Sequence, residues 1–386
     1  MNGKVLLGSC LALTLGVAGC QDQVTAPAPA AVAGGPQLAV GGGAWSFDLD
    51  RAAIMPPASG RMTDQQLAEA GRRAIDPGDY VCPASTPVVD WYLAEIDRIE
   101  PAIFNLLYFN LLADLVPTYE ALYFATADTP QYFGYDGEYT RIMYKTERDV
   151  KRFWDIASAD IQLIGMHGAM LLDTARVART YREVFGVPAA TASVFAATVR
   201  DAVLSSQALD GGDHPLFSFN AFAFTTYGGP IPDKIVMGDG ILAGYESLGF
   251  GDVAPQAIYA HEFAHHIQFE NDYFADPYAT TGTQAERTRY TELMADAMSA
   301  YYLTHKRGGT MNRWRVAEFL EVFYQIGDCG FTSSGHHGTP NQRMAAAQFG
   351  FDVADQAQKK GHIMTSEQFH ALFVAAYPEI VAPDAP

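Results

Sequence analysis

The chain predicts an α+β fold, mostly helical, with a short antiparallel sheet just ahead of one long helix. Three observations carry this. Residues from about 60 to 210 read mainly as apolar-periodic helical segments. Phe217 to Thr226 and Lys234 to Met237, rich in aromatic and β-branched residues, flank Tyr227-Gly228-Gly229-Pro230 and read as two strands joined by a turn. Immediately afterwards, His261-Glu262-Phe263-Ala264-His265 lies in a segment with the start signals of a helix.

At the N-terminus, Lys4 precedes an apolar stretch from Val5 to Val17, and Val17-Ala18-Gly19-Cys20 has the form of a lipoprotein cleavage site. Residues 1–19 are therefore expected to leave as a signal peptide, with Cys20 lipidated and the protein held outside the cytoplasm in a bacterial envelope. An ordinary cleaved secretory signal is the plainer alternative. Residues 20–45 follow as a tether, because Thr25 to Ala44 is dominated by Ala, Pro and Gly and lacks charge. Of four cysteines only Cys82 and Cys329 then remain, and in an exported chain they can form one disulfide.

An N-terminal helical region is expected over 46–138 and the main domain over 139–386. Thr63 can cap Asp64 to Ala74; Thr86 to Arg98, Ala102 to Val116 and Tyr139 to Ile156 follow. The aromatic, Gly- and Asp-rich stretch from Thr118 to Tyr139 reads as loop or short strands. Further helices are expected over Ala159 to Leu172 behind Ser158, and over Ala189 to Gln207. The roughly 340 residues after the tether, in a chain 49% hydrophobic, suffice for a large core. A net charge of -19, or -20 once Lys4 leaves with the leader, argues against nucleic acid as a partner.

The long helix is expected to start at Val253, capped by Asp252, and to fade between Glu270 and Asp272. On it, two histidines four apart are displaced by only about 40° around the axis, so both imidazoles reach one metal ion. Glu262 lies about 100° from His261, beside such an ion, where it can take a proton from metal-bound water. A catalytic zinc takes three protein ligands and one open position. The extended form of the motif is absent, since Gln268 and Asn271 stand where its glycine and third histidine belong.

A second helix offers the third ligand. Thr283 and Glu286 form a capping box, and His305-Lys306-Arg307 before Gly308-Gly309 reads as its end. Glu292 and Asp296 are four apart on one face, so Glu292 can complete the metal shell while Asp296 accepts a hydrogen bond from a ligand histidine. The bland alternative, two solvent-facing carboxylates, sits poorly with neighbours such as Leu293, Met294 and Met298. Thr339-Pro340 is a helix start, and the loop before it carries His336 and His337. Structure alone can account for that loop; in the functional reading His337 donates to the oxyanion of a tetrahedral intermediate. Arg343 can anchor the loop by an ion pair. Asn312 to Ile326 and Thr365 to Ala375 add later helices.

Together, H-E-F-A-H-H-I-Q at 261–268, E-L-M-A-D at 292–296 and H-G-T-P-N-Q-R at 337–343 resemble the successive motifs of the neutral zinc metallopeptidase family, within the gluzincin-like group. The resemblance runs from about residue 150 to 360. It implies a zincin-like domain with one Zn²⁺ on His261, His265 and Glu292, Glu262 as general base and Asp296 behind the ligands. A peptide or protein substrate follows, which an edge strand near Phe217 to Thr226 can hold by main-chain hydrogen bonds; an ordinary core hairpin is the alternative there. The rival reading of the whole chain is a non-catalytic lipoprotein that keeps zinc for shape, as a binding or envelope-assembly module. The remaining histidines lack ligand spacing: His266 and His167 read as packing or core residues, His214 as a turn residue, and His305, His362 and His370 as unassigned.

Overall fold

The computed structural model describes residues 6–11, 83, 85–226, 231–311, 313–325, 327, 336–358 and 361–382. The tether, Cys20, Cys82, Cys329, the helix expected over Asp64 to Ala74 and the 227–230 turn lie outside the described residues. Strand β1 (Leu6–Leu11) comes from the apolar stretch read as an export signal. Helices α1 (Pro87–Ile96), α2 (Pro101–Phe104), α3 (Val116–Tyr123) and α4 (Thr140–Phe153) follow, then strand β2 (Gln162–Met166) and helices α5 (Thr174–Glu183) and α6 (Ala189–Ser205). Strands β3 (Ala221–Thr225) and β4 (Lys234–Gly238) lead into α7 (Asp239–Ser247), α8 (Ala254–Glu270), α9 (Pro277–Thr280), α10 (Gln284–Thr304), α11 (Arg313–Gln325), α12 (Pro340–Gln358) and α13 (Ser366–Ile380).

The α+β, mostly helical class holds, but the sheet is mixed rather than antiparallel. Its order is β1-β3-β4-β2, with β3 antiparallel to β4 and β2 parallel to it, Gln162 opposite Lys234. Strand β2 occupies a stretch read as the helix Ala159 to Leu172. A short, fully apolar run such as Leu-Ile-Gly-Met has no period of its own, so burial on both faces decided its state. Gly165 within it admits no side chain, since a Cβ would stand 2.6 Å from the Tyr132 carbonyl oxygen.

Alternation along the strands feeds two cores. Leu163, Ile235 and Met237 face one side, packed with α8, α10 and α12; Ile164, Val236 and Phe222 face the other, against α3, α5 and α6. Both cores cross the boundary expected at 138/139. Val88 and Tyr92 of α1 join the first, and Leu107, Val116 and Tyr119 the second.

Several helices differ from expectation. The span Ala102 to Val116 breaks at Leu112, whose φ of 49° is left-handed, and α3 then starts at Val116, with Pro117 in its first turn, and runs into the stretch read as loop. Helices α5 and α7 were not anticipated; Asp173 caps α5 by accepting from the Ala175 and Arg176 amides at 3.0 and 3.2 Å. Helix α1 begins after Thr86 as expected, although its Val88 amide donates to Gln325 Oε1 of α11 at 3.1 Å. Among the described residues no helix is long and apolar enough to cross a membrane.

Candidate metal centre

Helix α8 is the central rod of the molecule. Every residue from Ala254 to Phe269 is buried, so it has no solvent face, and its polar residues must be satisfied from within. Val253, not Asp252, occupies its cap position, and no side chain caps it; Pro255 in the first turn removes one amide that would otherwise need a partner. Helix α10 crosses it, started by the reciprocal cap in which Thr283 Oγ1 accepts from the Glu286 amide at 3.1 Å and Glu286 accepts from the Thr283 amide at 2.6 Å. Ser299 Oγ donates to the Ala257 carbonyl at 2.9 Å and pins the two helices together.

The crossing brings His261, His265 and Glu292 to one point, and this buried group can hold a metal ion. The two Nε2 atoms are 3.2 Å apart. Glu292 sets Oε2 3.3 Å from His261 Nε2 and Oε1 3.4 Å from His265 Nε2. Among the described residues neither Glu292 oxygen has a hydrogen-bond partner, although the residue is wholly buried. Several lone pairs converging in a dry interior repel one another unless a cation sits among them, so the donor set fits a metal.

The outer ring nitrogens are also held. His265 Nδ1 donates to Gln268 Oε1 at 2.9 Å, and Gln268 Nε2 donates to the Thr291 carbonyl at 2.7 Å. His261 Nδ1 lies 2.8 Å from Asp296 Oδ1, bent away from ideal hydrogen-bond geometry. Both contacts direct Nε2 toward the shared point. Gln268 was not singled out for this role; its position one turn beyond His265 was the available signal.

Burial dominates the electrostatics. It lowers His265 to about 4. For His261 burial acts downward too, but Asp296 and Glu292 outweigh it and raise the imidazole to about 9. Burial pushes the Glu292 carboxyl up, yet His337, His265 and His261 together hold it well below the usual carboxylate range. Burial raises Glu262 to about 8, with His261 opposing. Among the described residues both Glu262 oxygens lack a hydrogen bond, and the Ala223 backbone of β3 acts to lower the carboxyl.

The third motif arrives from α12. Gly338, at φ 104°, lets the chain turn against Leu293, where a Cβ would stand 3.0 Å from Leu293 Cδ2. Thr339 Oγ1 then accepts from the Gln342 amide at 3.1 Å, and one turn later Arg343 reaches Asp296 with two hydrogen bonds. His337 is buried and close enough for its charge to act on Glu292.

The other histidines lie apart from this centre. His167 closes β2 and pairs with Asp239 at 2.6 Å, so it is not the core residue of a helix. His214 caps a short 3-10 turn through the Leu216 amide, His266 bonds the Lys234 carbonyl, His305 bonds the His362 carbonyl, and His370 pairs with Asp276.

No family model matches this chain, and no curated protein or solved structure gives a significant match.

Proposed function

We propose that this protein is a zinc-dependent peptidase. The separation of the ligand atoms carries the reading. A tetrahedral zinc with bonds of about 2.0–2.1 Å sets its ligands about 3.3 Å apart; the two imidazole Nε2 atoms stand 3.2 Å apart, and each has one Glu292 oxygen near it, Oε2 at 3.3 Å from His261 and Oε1 at 3.4 Å from His265. Bound there, zinc would polarise a carbonyl and acidify a water molecule.

The chain's own residues supply the rest. Glu262 is the general base; burial raises its carboxyl to about 8, so a cation at the ligands would be needed to favour its charged form, in which it can take a proton from water and return it to a leaving amine. His337 steadies the oxyanion of the tetrahedral intermediate. Strand β3 is not the edge strand expected, since β1 and β4 pair with its two sides; an extended peptide could lie along it only where β1 leaves with the leader. Lipidation at Cys20 would display the enzyme outside the cytoplasm.

Glu262→Gln tests this directly. Casein hydrolysis should fall by about 10²–10⁴-fold, as for loss of a general base, while zinc content by mass spectrometry stays at the parent's level. Undiminished hydrolysis would show that Glu262 is not the base. A parent that binds zinc but cleaves no peptide would instead favour the non-catalytic module.

A further inference from the structure

Arg343 is wholly buried, and its guanidinium spans two carboxylates. Nε donates to Asp296 Oδ2 at 2.8 Å and Nη2 to Oδ1 at 2.6 Å. Among the described residues Nη1 has no hydrogen-bond partner, and it lies 3.9 Å from Glu292 Oε2. One planar fork thus faces both acids of the E-x-x-x-D segment. A residue serving only to anchor the start of α12 would be satisfied by any nearby acid at the surface. Burying a guanidinium at no exposure beside the ligand carboxylate is expensive, and the expense needs a return at the same place.

We infer that Arg343 is a positioning residue of the metal centre, orienting Asp296 behind His261 so that the ligand imidazole faces a divalent cation. This rests on the metal centre proposed above. Glu292 and Asp296 place two carboxylates beside one guanidinium in a dry interior, so Arg343 is not buried without an opposite charge. The two bonds to Asp296 leave its Oδ1 2.8 Å from His261 Nδ1, so the chain of contacts runs from Arg343 through Asp296 to the ligand imidazole. A lysine at 343 would restore the charge but not the fork.

The test is the zinc dissociation constant of the full chain, by chelator competition, for the parent, Arg343→Met, Arg343→Lys, Asp296→Asn and the double variant Asp296→Asn with Arg343→Met. Arg343→Met should weaken zinc by about 10–100-fold, and Arg343→Lys should recover part of that. In the Asp296→Asn background, adding Arg343→Met should cost less than about threefold, because the two act as one unit. A folded Arg343→Met protein with the parent's constant would overturn the inference, as would a double variant in which the two losses multiply in full. If Arg343→Met alone fails to fold, the double variant still decides, since it leaves neither charge buried alone. A parent that takes up no zinc would overturn the metal centre itself, whereas a zinc-binding parent with an indifferent Arg343 would overturn only this role.

Discussion

At the scale of the residue, the centre is a set of lone pairs waiting on a charge. The His261 proton is favoured, raised to about 9 because Asp296 and Glu292 outweigh burial, whereas His265 is lowered to about 4 by burial. A metal ligand must be deprotonated, so binding at pH 7 has to expel the His261 proton. Calorimetry of zinc binding at pH 7 in two buffers of different ionisation enthalpy should therefore report release of about one proton. An enthalpy independent of buffer would contradict this. His261, Glu262 and His265 were legible in the sequence because one helical turn fixes their mutual placement. Gln268 was harder to see, because its amide matters only through the Thr291 carbonyl on another helix.

At the scale of the element, α10 and α12 are packed as closely as backbone allows. Gly350 of α12 faces the Ala297 carbonyl of α10, where an added Cβ would stand 2.0 Å from the oxygen and 3.0 Å from Ala300 Cβ. Alanine favours an isolated helix by about 1 kcal/mol over glycine, but overpacking typically costs about 1–3 kcal/mol. We expect Gly350→Ala to lower stability in urea unfolding. A more stable variant would mean that the helices separate freely. The helices with local signals, such as α10 behind its Thr283 cap and α12 behind Thr339-Pro340, were readable from sequence, since a cap involves residues three apart. Strand β2 was not, because Gln162 to Met166 becomes a strand only by pairing with β4, more than seventy residues away in the chain. Helix α3 was obscured by the aromatic composition of its surroundings.

At the scale of the whole molecule, buried His214 ties distant segments together and contributes to its response to acid. His214 Nδ1 accepts from the Leu216 amide at 3.1 Å while Nε2 donates to the Glu95 carbonyl at 3.2 Å, joining the chain before β3 to the end of α1. Burial lowers this imidazole to about 4 from 6.5, so between those pH values the unfolded chain binds the extra proton. The stability due to the neutral ring is intact above about pH 6.5, is lost as pH falls toward 4, and amounts to about 3 kcal/mol by linkage. His214→Asn keeps a capping acceptor without the titration. Urea unfolding of this variant should decline less steeply between pH 6.5 and 4 than that of the parent; parallel declines would remove His214 as a source of acid lability.

Sequence alone determined the donors: two imidazoles and a carboxylate at helical spacings, with an acid four residues beyond the third ligand, because the α-helix repeats every 3.6 residues whatever surrounds it. Tertiary structure decided that these donors meet. The crossing of α8 and α10 sets the distances between their side chains, and the turn at Gly338 delivers Arg343 to Asp296. Those distances depend on packing between segments remote in the chain, and no local period encodes them.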